Sequence, residues 1–144
     1  MKESFRNRLK DMNILVVGMG RSGKAALRAL SGTGAVLYAQ DSQDASNIDE
    51  DFLQFLEEGH VKTYFGSLPD DMSVFDMLVL SPGVPPQLDF VQEAAAAGAE
   101  IIGELELAYR MTDAHFAAIT GTNGKTTVSN LLVDLLEAYR TGVL

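Results

Sequence analysis

The residues best suited to chemistry lie late in the chain, where residues 119–127 read Ile-Thr-Gly-Thr-Asn-Gly-Lys-Thr-Thr. Glycines let backbone N–H groups approach phosphate oxygens, and a helix N-terminus adds a favourable dipole. Lys125 would reach the β- and γ-phosphates of a nucleotide, and the Thr126 hydroxyl would complete a Mg²⁺ shell. The common phosphate-loop pattern has glycine where Ile119 stands, so this loop is a shorter variant that opens at Gly121. The alternative is a glycine turn with a solvated lysine.

Apolar residues flank this loop on both sides. The run at residues 115–119 predicts a strand before it. A helix over about 126–139 is predicted behind it by Val128, Leu131, Leu132, Leu135, Leu136 and Tyr139. One strand and one helix cannot form a core, because parallel strands are stable when both their faces are covered. We therefore expect the helix to bury its apolar stripe against the first domain or against a second chain.

A second glycine loop lies near the start of the chain. The buried-strand pattern Ile14–Val17 runs into Gly-Met-Gly-Arg-Ser-Gly at residues 18–23, and Ser22 can cap the helix that follows. We expect that helix to pack on a sheet through Ala25, Ala26, Ala29 and Leu30. Asp41 ends the next predicted strand, 23 residues after Gly18, which suits an acid that takes a ribose hydroxyl in a dinucleotide fold. A tight strand–helix turn with a turn-capping aspartate is the alternative.

The elements between the two loops alternate between strands and helices. Strands are predicted at 61–65, 77–80 and 100–102, and helices at 49–58 and 89–98. The turn Ser81-Pro82-Gly83 follows the strand at 77–80, at the end where open α/β sheets bind ligands, although a stiff connector is equally consistent. The fold class is therefore α/β. A Rossmann-like, doubly wound, mainly parallel sheet at 1–102 is followed at 103–144 by a linker and the first strand–P-loop–helix of an incomplete P-loop ATPase-type domain.

Composition narrows the function classes. The net charge of −9 argues against a nucleic-acid or anionic-membrane surface, so local donors must hold any anionic ligand. The absence of cysteine removes disulfides, thiolate metal sites and cysteine nucleophiles. No apolar run approaches the ~18 residues that span a membrane, and we expect a cytoplasmic protein.

Taken in order, these motifs resemble the N-terminal part of the Mur ligase family. The string at 119–127 is typical of the Mur and folylpolyglutamate ligases. The first glycine loop, Ser81-Pro82-Gly83 and Gly-Glu-Leu-Glu-Leu at 103–107 resemble the members that add D-glutamate. The resemblance implies that the first domain binds the UDP part of UDP-N-acetylmuramoyl-L-alanine through Gly20, Arg21, Ser22, Gly23, Asp41, Ser42, Ser81, Pro82 and Gly83. Gln43 stands where relatives can carry an arginine near the uracil.

The resemblance also implies an ATP-dependent amide ligase. ATP and Mg²⁺ would be bound by Gly121, Thr122, Asn123, Gly124, Lys125, Thr126 and Thr127, with Lys125 and Thr126 catalytic and Thr126 a Mg²⁺ ligand. ATP would activate the alanyl carboxylate as an acyl phosphate, which the D-glutamate amine then attacks. We expect this fragment to bind the UDP-substrate, to bind ATP poorly, to be inactive alone and to self-associate through the helix at 126–139. Another Mur ligase, a nicotinamide-dependent oxidoreductase domain and a non-catalytic nucleotide-binding module remain alternatives.

Overall fold

The computed structural model describes residues 3–141, and side chains at 5–140. The chain divides into two compact units, Met1–Asp113 and Ala114–Leu144. The sequence predicts a boundary near Gly103, whereas the first unit extends to Asp113 and includes the helix Glu104–Met111. Among the described residues, no helix combines the length and the apolar character needed to cross a membrane.

The first unit contains a five-stranded sheet with helices between its strands. The strands are β1 (Asn13–Val17), β2 (Val36–Asp41), β3 (Lys62–Phe65), β4 (Met77–Leu80) and β5 (Glu100–Gly103). The helices are α1 (Glu3–Leu9), α2 (Arg21–Leu30), α3 (Glu50–Glu58), α4 (Asp89–Ala97) and α5 (Glu104–Met111), and short 3₁₀ turns lie at Ala45–Asn47 and Met72–Val74. All strand pairs are parallel, in the order β3-β2-β1-β4-β5. This order confirms the predicted Rossmann-like, doubly wound sheet.

Alternate residues of the central strands face two separate cores. Ile14 and Val16 of β1 belong to the core beneath α1, α2, α3 and α5, whereas Leu15 and Val17 belong to the core beneath α4. A strand that is apolar at every position is expected where helices cover both faces of a sheet. The two cores thus explain why β1 and β4 read as continuous apolar runs.

The rotation of α2 differs from the prediction. Its buried residues are Gly23, Ala26, Leu27 and Leu30, whereas Ala25 and Ala29 are exposed. The cause is Gly23, because a Cβ atom there would lie 1.8 Å from the carbonyl oxygen of Gly18. Because Gly23 packs against Gly18, the residues three, four and seven positions after it, Ala26, Leu27 and Leu30, face the sheet.

The second unit is one helix, α6 (Lys125–Thr141), preceded by irregular backbone and the late glycine loop. The predicted strand at 115–119 is wrong, because these residues form no part of the sheet in the described chain. A strand needs a neighbouring strand to complete its hydrogen bonds. The predicted helix at 126–139 is confirmed with slightly wider bounds.

Most side chains of the apolar stripe of α6 are exposed. Leu131, Leu135 and Leu136 are 54–56% exposed, and Val128 and Tyr139 are also exposed. The burial of this stripe, against the first domain or against a second chain, stays a prediction.

Candidate ligand-binding site

A cavity of about 1010 Å³ opens at the carboxyl ends of the strands in the first unit. It lies where the strand order changes direction, since β1 has β2 on one side and β4 on the other. Open α/β sheets bind ligands in the crevice at this switch point, because the connections from the two central strands leave in opposite directions. The fold therefore places a cleft where the first glycine loop and the Ser81-Pro82-Gly83 turn meet.

The first glycine loop is shaped by close backbone packing. Gly18 has φ +88°, a left-handed conformation that favours glycine, and its N–H donates to the carbonyl of Gln40 at 2.8 Å. Gly20 is the N-cap of α2, and no side chain caps this helix end. The prediction that Ser22 caps α2 is wrong, because the helix begins at Arg21 and Ser22 lies inside its first turn. An N-terminus without a side-chain cap suits an anion.

Asp41 connects the end of β2 to the glycine loop. Its Oδ2 accepts a hydrogen bond from the Met19 N–H at 2.6 Å, and its Oδ1 accepts one from the Gln43 N–H at 2.8 Å. The carboxylate therefore has a structural role in positioning the loop. Since each oxygen can accept a further hydrogen bond, the carboxylate can also take a hydroxyl or ring N–H of a ligand.

Ser81 connects the turn after β4 to the same loop. Its hydroxyl donates to the Gly18 carbonyl at 2.8 Å, and its backbone N–H donates to the Val17 carbonyl at 3.0 Å. A Cβ atom at Gly18 would lie 3.1 Å from the Ser81 Cβ atom. With its proton committed to Gly18, the Ser81 hydroxyl can only accept from a ligand.

The structure brings eight of the nine predicted substrate residues into the cavity wall. They are Gly20, Arg21, Ser22, Asp41, Ser42, Ser81, Pro82 and Gly83. Gly23 is not part of the wall, since it packs behind the loop against Gly18. The contacts of these residues with a ligand stay a prediction.

Several wall residues escaped the sequence analysis. Gln40, Gly66, Ser67 and Leu68 line one part of the cavity, and Val84, Pro85, Leu88 and Phe90 line another. The signal for Gln40 was an amide that ends the apolar run of β2 directly before Asp41. Ser67 was not predictable, because only the parallel pairing of β2 with β3 brings its loop beside Asp41, where the Gly66 N–H donates to the Asp41 carbonyl at 3.0 Å.

The clearest charge interaction in the first unit lies away from this cavity. Arg110 of α5 donates to Glu100 Oε1 at 2.6 Å, and Arg8 of α1 donates to Glu100 Oε2 at 2.7 Å. The hydrogen bond from Arg110 lowers the pKa of Glu100. This ion-pair cluster joins α1, β5 and α5. None of its three residues lines the cavity, so its role is in the stability of the fold.

The seven predicted ATP residues form one continuous loop and helix start in the second unit. Gly121 and Gly124 have φ +153° and +78°, and α6 begins at Lys125. The Val128 N–H donates to the Gly124 carbonyl at 3.0 Å, and the Lys125 ammonium donates to the Gly121 carbonyl. All seven residues are exposed, and their binding of ATP and Mg²⁺ stays a prediction.

Together, the parallel strand order, the glycine loop and the switch-point cavity define a Rossmann-like domain. Residues 12–103 match a family model described as the N-terminal domain of MurD-like Mur ligases. Because the match covers more than half of the chain, the chain belongs to this family.

Curated relatives that match the chain carry the name UDP-N-acetylmuramoylalanine–D-glutamate ligase. The relative from Desulfitobacterium hafniense is 42% identical over 135 residues, which cover 93% of this chain and 29% of the relative. The relative from Lachnoclostridium phytofermentans is 40% identical over 127 residues, covering 88% of this chain and 28% of the relative. The chain thus spans less than a third of the length of these relatives.

Solved structures support the fold alone. A pseudomurein peptide ligase type C from Methanothermus fervidus superposes with a TM-score of 0.56 at 23% identity, covering 88% of this chain and 26% of that chain. The precorrin-2 dehydrogenase SirC superposes with a TM-score of 0.54 at 12% identity, covering 92% of this chain and 67% of that chain. A ligase and a dehydrogenase share this architecture, so fold alone does not choose the ligand.

Proposed function

We propose that this chain is the N-terminal part of an ATP-dependent ligase that adds D-glutamate to UDP-N-acetylmuramoyl-L-alanine. Its first unit would bind the UDP-linked substrate. The relatives' shared name supports this reaction, and the cavity beside the N-terminus of α2 is the observation that carries the binding site. ATP and a nucleotide-linked sugar as substrates place the proposed role in the cytoplasm.

The diphosphate of the substrate would lie against the start of α2. Backbone N–H groups in the first helical turn offer hydrogen bonds, and the helix dipole favours an anion there. Arg21 is the cationic side chain in the cavity wall. It would supply positive charge next to the diphosphate, although the chain as a whole has a net charge of −9. A guanidinium suits this task because its planar N–H groups match phosphate oxygens in pairs.

The nucleoside would lie toward β2 and β4. Asp41 and Ser81 both present acceptors to the cavity, which suits the hydroxyl donors of a ribose. Pro82 and Gly83 would lie against the nucleoside, and an added Cβ at Gly83 would meet no atom within 4 Å, so the wall is open there. Ser42 follows Asp41 and offers a further hydroxyl group.

The late loop fits the phosphates of ATP better than it fits a metal. Backbone N–H groups at the start of α6, the two glycines and Lys125 form a cradle for phosphate oxygens. Within residues 3–141, no cluster of three His, Cys, Asp or Glu side chains could hold a metal ion. Thr126 would therefore supply one Mg²⁺ ligand, with the phosphates and groups that these residues do not provide supplying the rest.

When bound, ATP would supply the phosphoryl group that activates the substrate carboxylate. Lys125 would stabilise negative charge on the transferred group, after leaving its present bond to the Gly121 carbonyl. We propose that the chain alone forms no amide from UDP-N-acetylmuramoyl-L-alanine, D-glutamate, ATP and Mg²⁺, because its metal site is incomplete. Product above a protein-free blank would contradict this part of the proposal.

A titration tests the substrate class. Isothermal titration calorimetry of the chain should show saturable binding of UDP-N-acetylmuramoyl-L-alanine and UDP, without binding of NADH at the same concentrations. Tighter binding of NADH than of UDP would instead support the oxidoreductase alternative.

A matched pair of variants on α2 tests the site. Arg21→Gln should weaken UDP binding about tenfold or more, since a charge-assisted hydrogen bond contributes roughly 1.5–3 kcal/mol. Arg28→Gln is the control, because Arg28 is exposed on the same helix and lies over the Phe55 ring, outside the cavity wall. Equal UDP affinities of the two variants would remove Arg21 from the site.

A further inference from the structure

An asparagine directly precedes a glycine in the late loop. The sequence has asparagine at positions 7, 13, 47, 123 and 130, and Asn123 is the one that glycine follows. Asn123 and Gly124 are both exposed and lie in irregular backbone just before α6 begins at Lys125. Asparagine is a thermolabile residue, and a glycine after it has no Cβ to obstruct its backbone nitrogen. The pair therefore brings a labile amide next to an unobstructed nitrogen.

Neither of these two groups is held by a hydrogen bond. Within the part of the chain that the structure describes, the Gly124 N–H and the Asn123 side chain have no hydrogen-bond partner. The Gly124 carbonyl, in contrast, accepts from the Val128 N–H at 3.0 Å, so the hydrogen bonds of α6 begin beyond the Gly124 N–H. An exposed N–H without a partner is open to solvent and can lose its proton to base.

Asn130 provides a contrast a few residues further along the chain. It is exposed like Asn123, but it lies inside α6 and is followed by Leu131. In an α-helix the backbone N–H of the following residue is bonded to the carbonyl four residues before it, and a leucine side chain obstructs the approach to that nitrogen. The second unit thus contains two exposed asparagines, and Asn123 is the one with an available nitrogen beside it.

We propose that Asn123 is a site of spontaneous deamidation. The Gly124 nitrogen gives up its proton to base and forms a bond to Cγ of Asn123. The bond from Cγ to Nδ2 breaks, and Nδ2 leaves as ammonia after taking up a proton, which balances the one that the backbone released. Water then opens the resulting cyclic imide to aspartate or to its β-linked isomer, and no atom is oxidised or reduced.

The reaction changes the charge of the late loop. A neutral amide becomes a carboxylate within residues 121–127, and a carboxylate repels phosphate oxygens. Deamidation needs neither ATP nor a UDP-linked substrate, so it holds whether or not the proposed function does. Because the attacking nitrogen must lose a proton, the rate rises with pH.

Tryptic peptide mapping by mass spectrometry tests the proposal on the unmodified chain. Cleavage after Arg110, Lys125 and Arg140 places Asn123 and Asn130 on separate peptides. During incubation at neutral pH, exchange of the amide for a carboxyl group should be at least about tenfold faster at Asn123 than at Asn130, because only Asn123 has an unbonded glycine nitrogen beside it. A sample digested without incubation is the control. Equal rates at the two asparagines would overturn the proposal.

A synthetic peptide of residues 119–127 tests whether the fold protects the site. The rate at Asn123 in the chain should lie within about fivefold of the rate in the peptide, since an exposed loop opens at little cost in free energy. A rate in the chain below that range would show that the loop holds Asn123 in an unreactive conformation, and it would overturn the proposal.

The variant Gly124→Ala tests the attacking atom. It should slow deamidation of Asn123 about tenfold, because the added Cβ obstructs the nitrogen of residue 124. That Cβ meets no atom within 4 Å, so the loop has space for it. Asn130 in the same sample is the internal control and should keep its slow rate, as expected for a folded α6. An unchanged rate at Asn123 would show that the Gly124 nitrogen does not attack, and it would overturn the proposal.

Discussion

Two segments of this chain place a glycine loop between an apolar run and a helix, and the two loops differ in their surroundings. The first loop lines a large cavity, whereas residues 121–127 of the second loop are all exposed. The loop at 18–23 follows β1, which has parallel neighbours on both sides and helices over both faces. The loop at 121–124 follows irregular backbone, and its helix leaves its apolar side chains about half exposed. The comparison shows that a local pattern determines a loop and a helix, whereas a strand and a pocket need distant partners.

The largest expected effect comes from matched leucine truncations in the two units. Leu78→Ala should lower the free energy of unfolding by about 2–5 kcal/mol, because Leu78 is fully buried in β4. Leu135→Ala should change it by less than about 0.5 kcal/mol, because Leu135 is 54% exposed on α6. Urea unfolding followed by circular dichroism measures both.

This pair also tests the predicted self-association. If Leu135→Ala proves as costly as Leu78→Ala, and light scattering shows a dimer that dissociates on dilution, the stripe of α6 is covered by a second chain in solution. That outcome would remove the contrast between the units. A monomer with a small cost at Leu135 would end the self-association prediction.

The next largest effect is the loss of stability expected when a glycine of either loop is replaced by alanine. Gly23→Ala should destabilise the first unit by about 3 kcal/mol, because the added Cβ meets the Gly18 carbonyl oxygen at 1.8 Å. Gly20→Ala is the control for folding, since an added Cβ there meets no atom within 4 Å. Gly124→Ala, also without a clash, should cost only the left-handed strain of about 1–2 kcal/mol, confined to the second loop. Equal losses at Gly23 and Gly20 would show that the β1–α2 turn is less tightly packed than the structure indicates.

Asp41 carries an intermediate effect. Asp41→Ala should weaken UDP binding by roughly 1.5–3 kcal/mol, through a lost ligand contact and a looser glycine loop. Asp44→Ala removes a carboxylate that accepts from the Ser46 N–H and lies outside the cavity wall, and it should leave affinity unchanged. Should Asp41→Ala lower the melting temperature without changing UDP affinity, Asp41 would be a structural residue alone.

The smallest effect is electrostatic and lies in the first unit away from the cavity. Because the folded-state pKa of Glu100 is lowered, chiefly by its hydrogen bond from Arg110, its ionised form stabilises the fold above the ordinary glutamate pKa of about 4.3. This stabilisation is lost as the pH falls below that value and through the lowered pKa. Glu100→Gln should cost less than about 1 kcal/mol at neutral pH, since the pair is partly exposed, and nothing in acid.

Urea unfolding of Glu100→Gln at several pH values between neutral and acid measures this difference. Glu93→Gln on the exposed face of α4 is the control. A cost that persists unchanged in acid would show that Glu100 acts through packing rather than charge.

The sequence predicts the first unit well where a segment's own pattern decides its structure. The run Met77–Leu80 is β4 with the predicted bounds, and Ile14–Val17 lies within β1. Helix α1 was not predicted, because the segment is mostly polar and charged and has only two side chains that pack inward, Phe5 and Leu9.

The sequence-based prediction fails for residues whose structure depends on strand pairing or packing with distant parts of the chain. The strand at 115–119 needed a neighbouring strand that the described chain does not offer. Ser67 reaches the cavity only through the pairing of β3 with β2, and Gln40 only through the fold of that edge. The binding residues at the ends of β1, β2 and β4 were predictable, because the carboxyl ends of parallel strands share one edge of the sheet.

The contrast between the two loops is tested most directly by titrating one sample of the chain with UDP and then with ATP and Mg²⁺. We expect saturable UDP binding that Lys125→Ala leaves unchanged, together with no saturation by ATP in the concentration range where UDP saturates. ATP binding as tight as UDP binding, and lost in Lys125→Ala, would contradict this expectation and show that the second loop is a complete site without a sheet beside it.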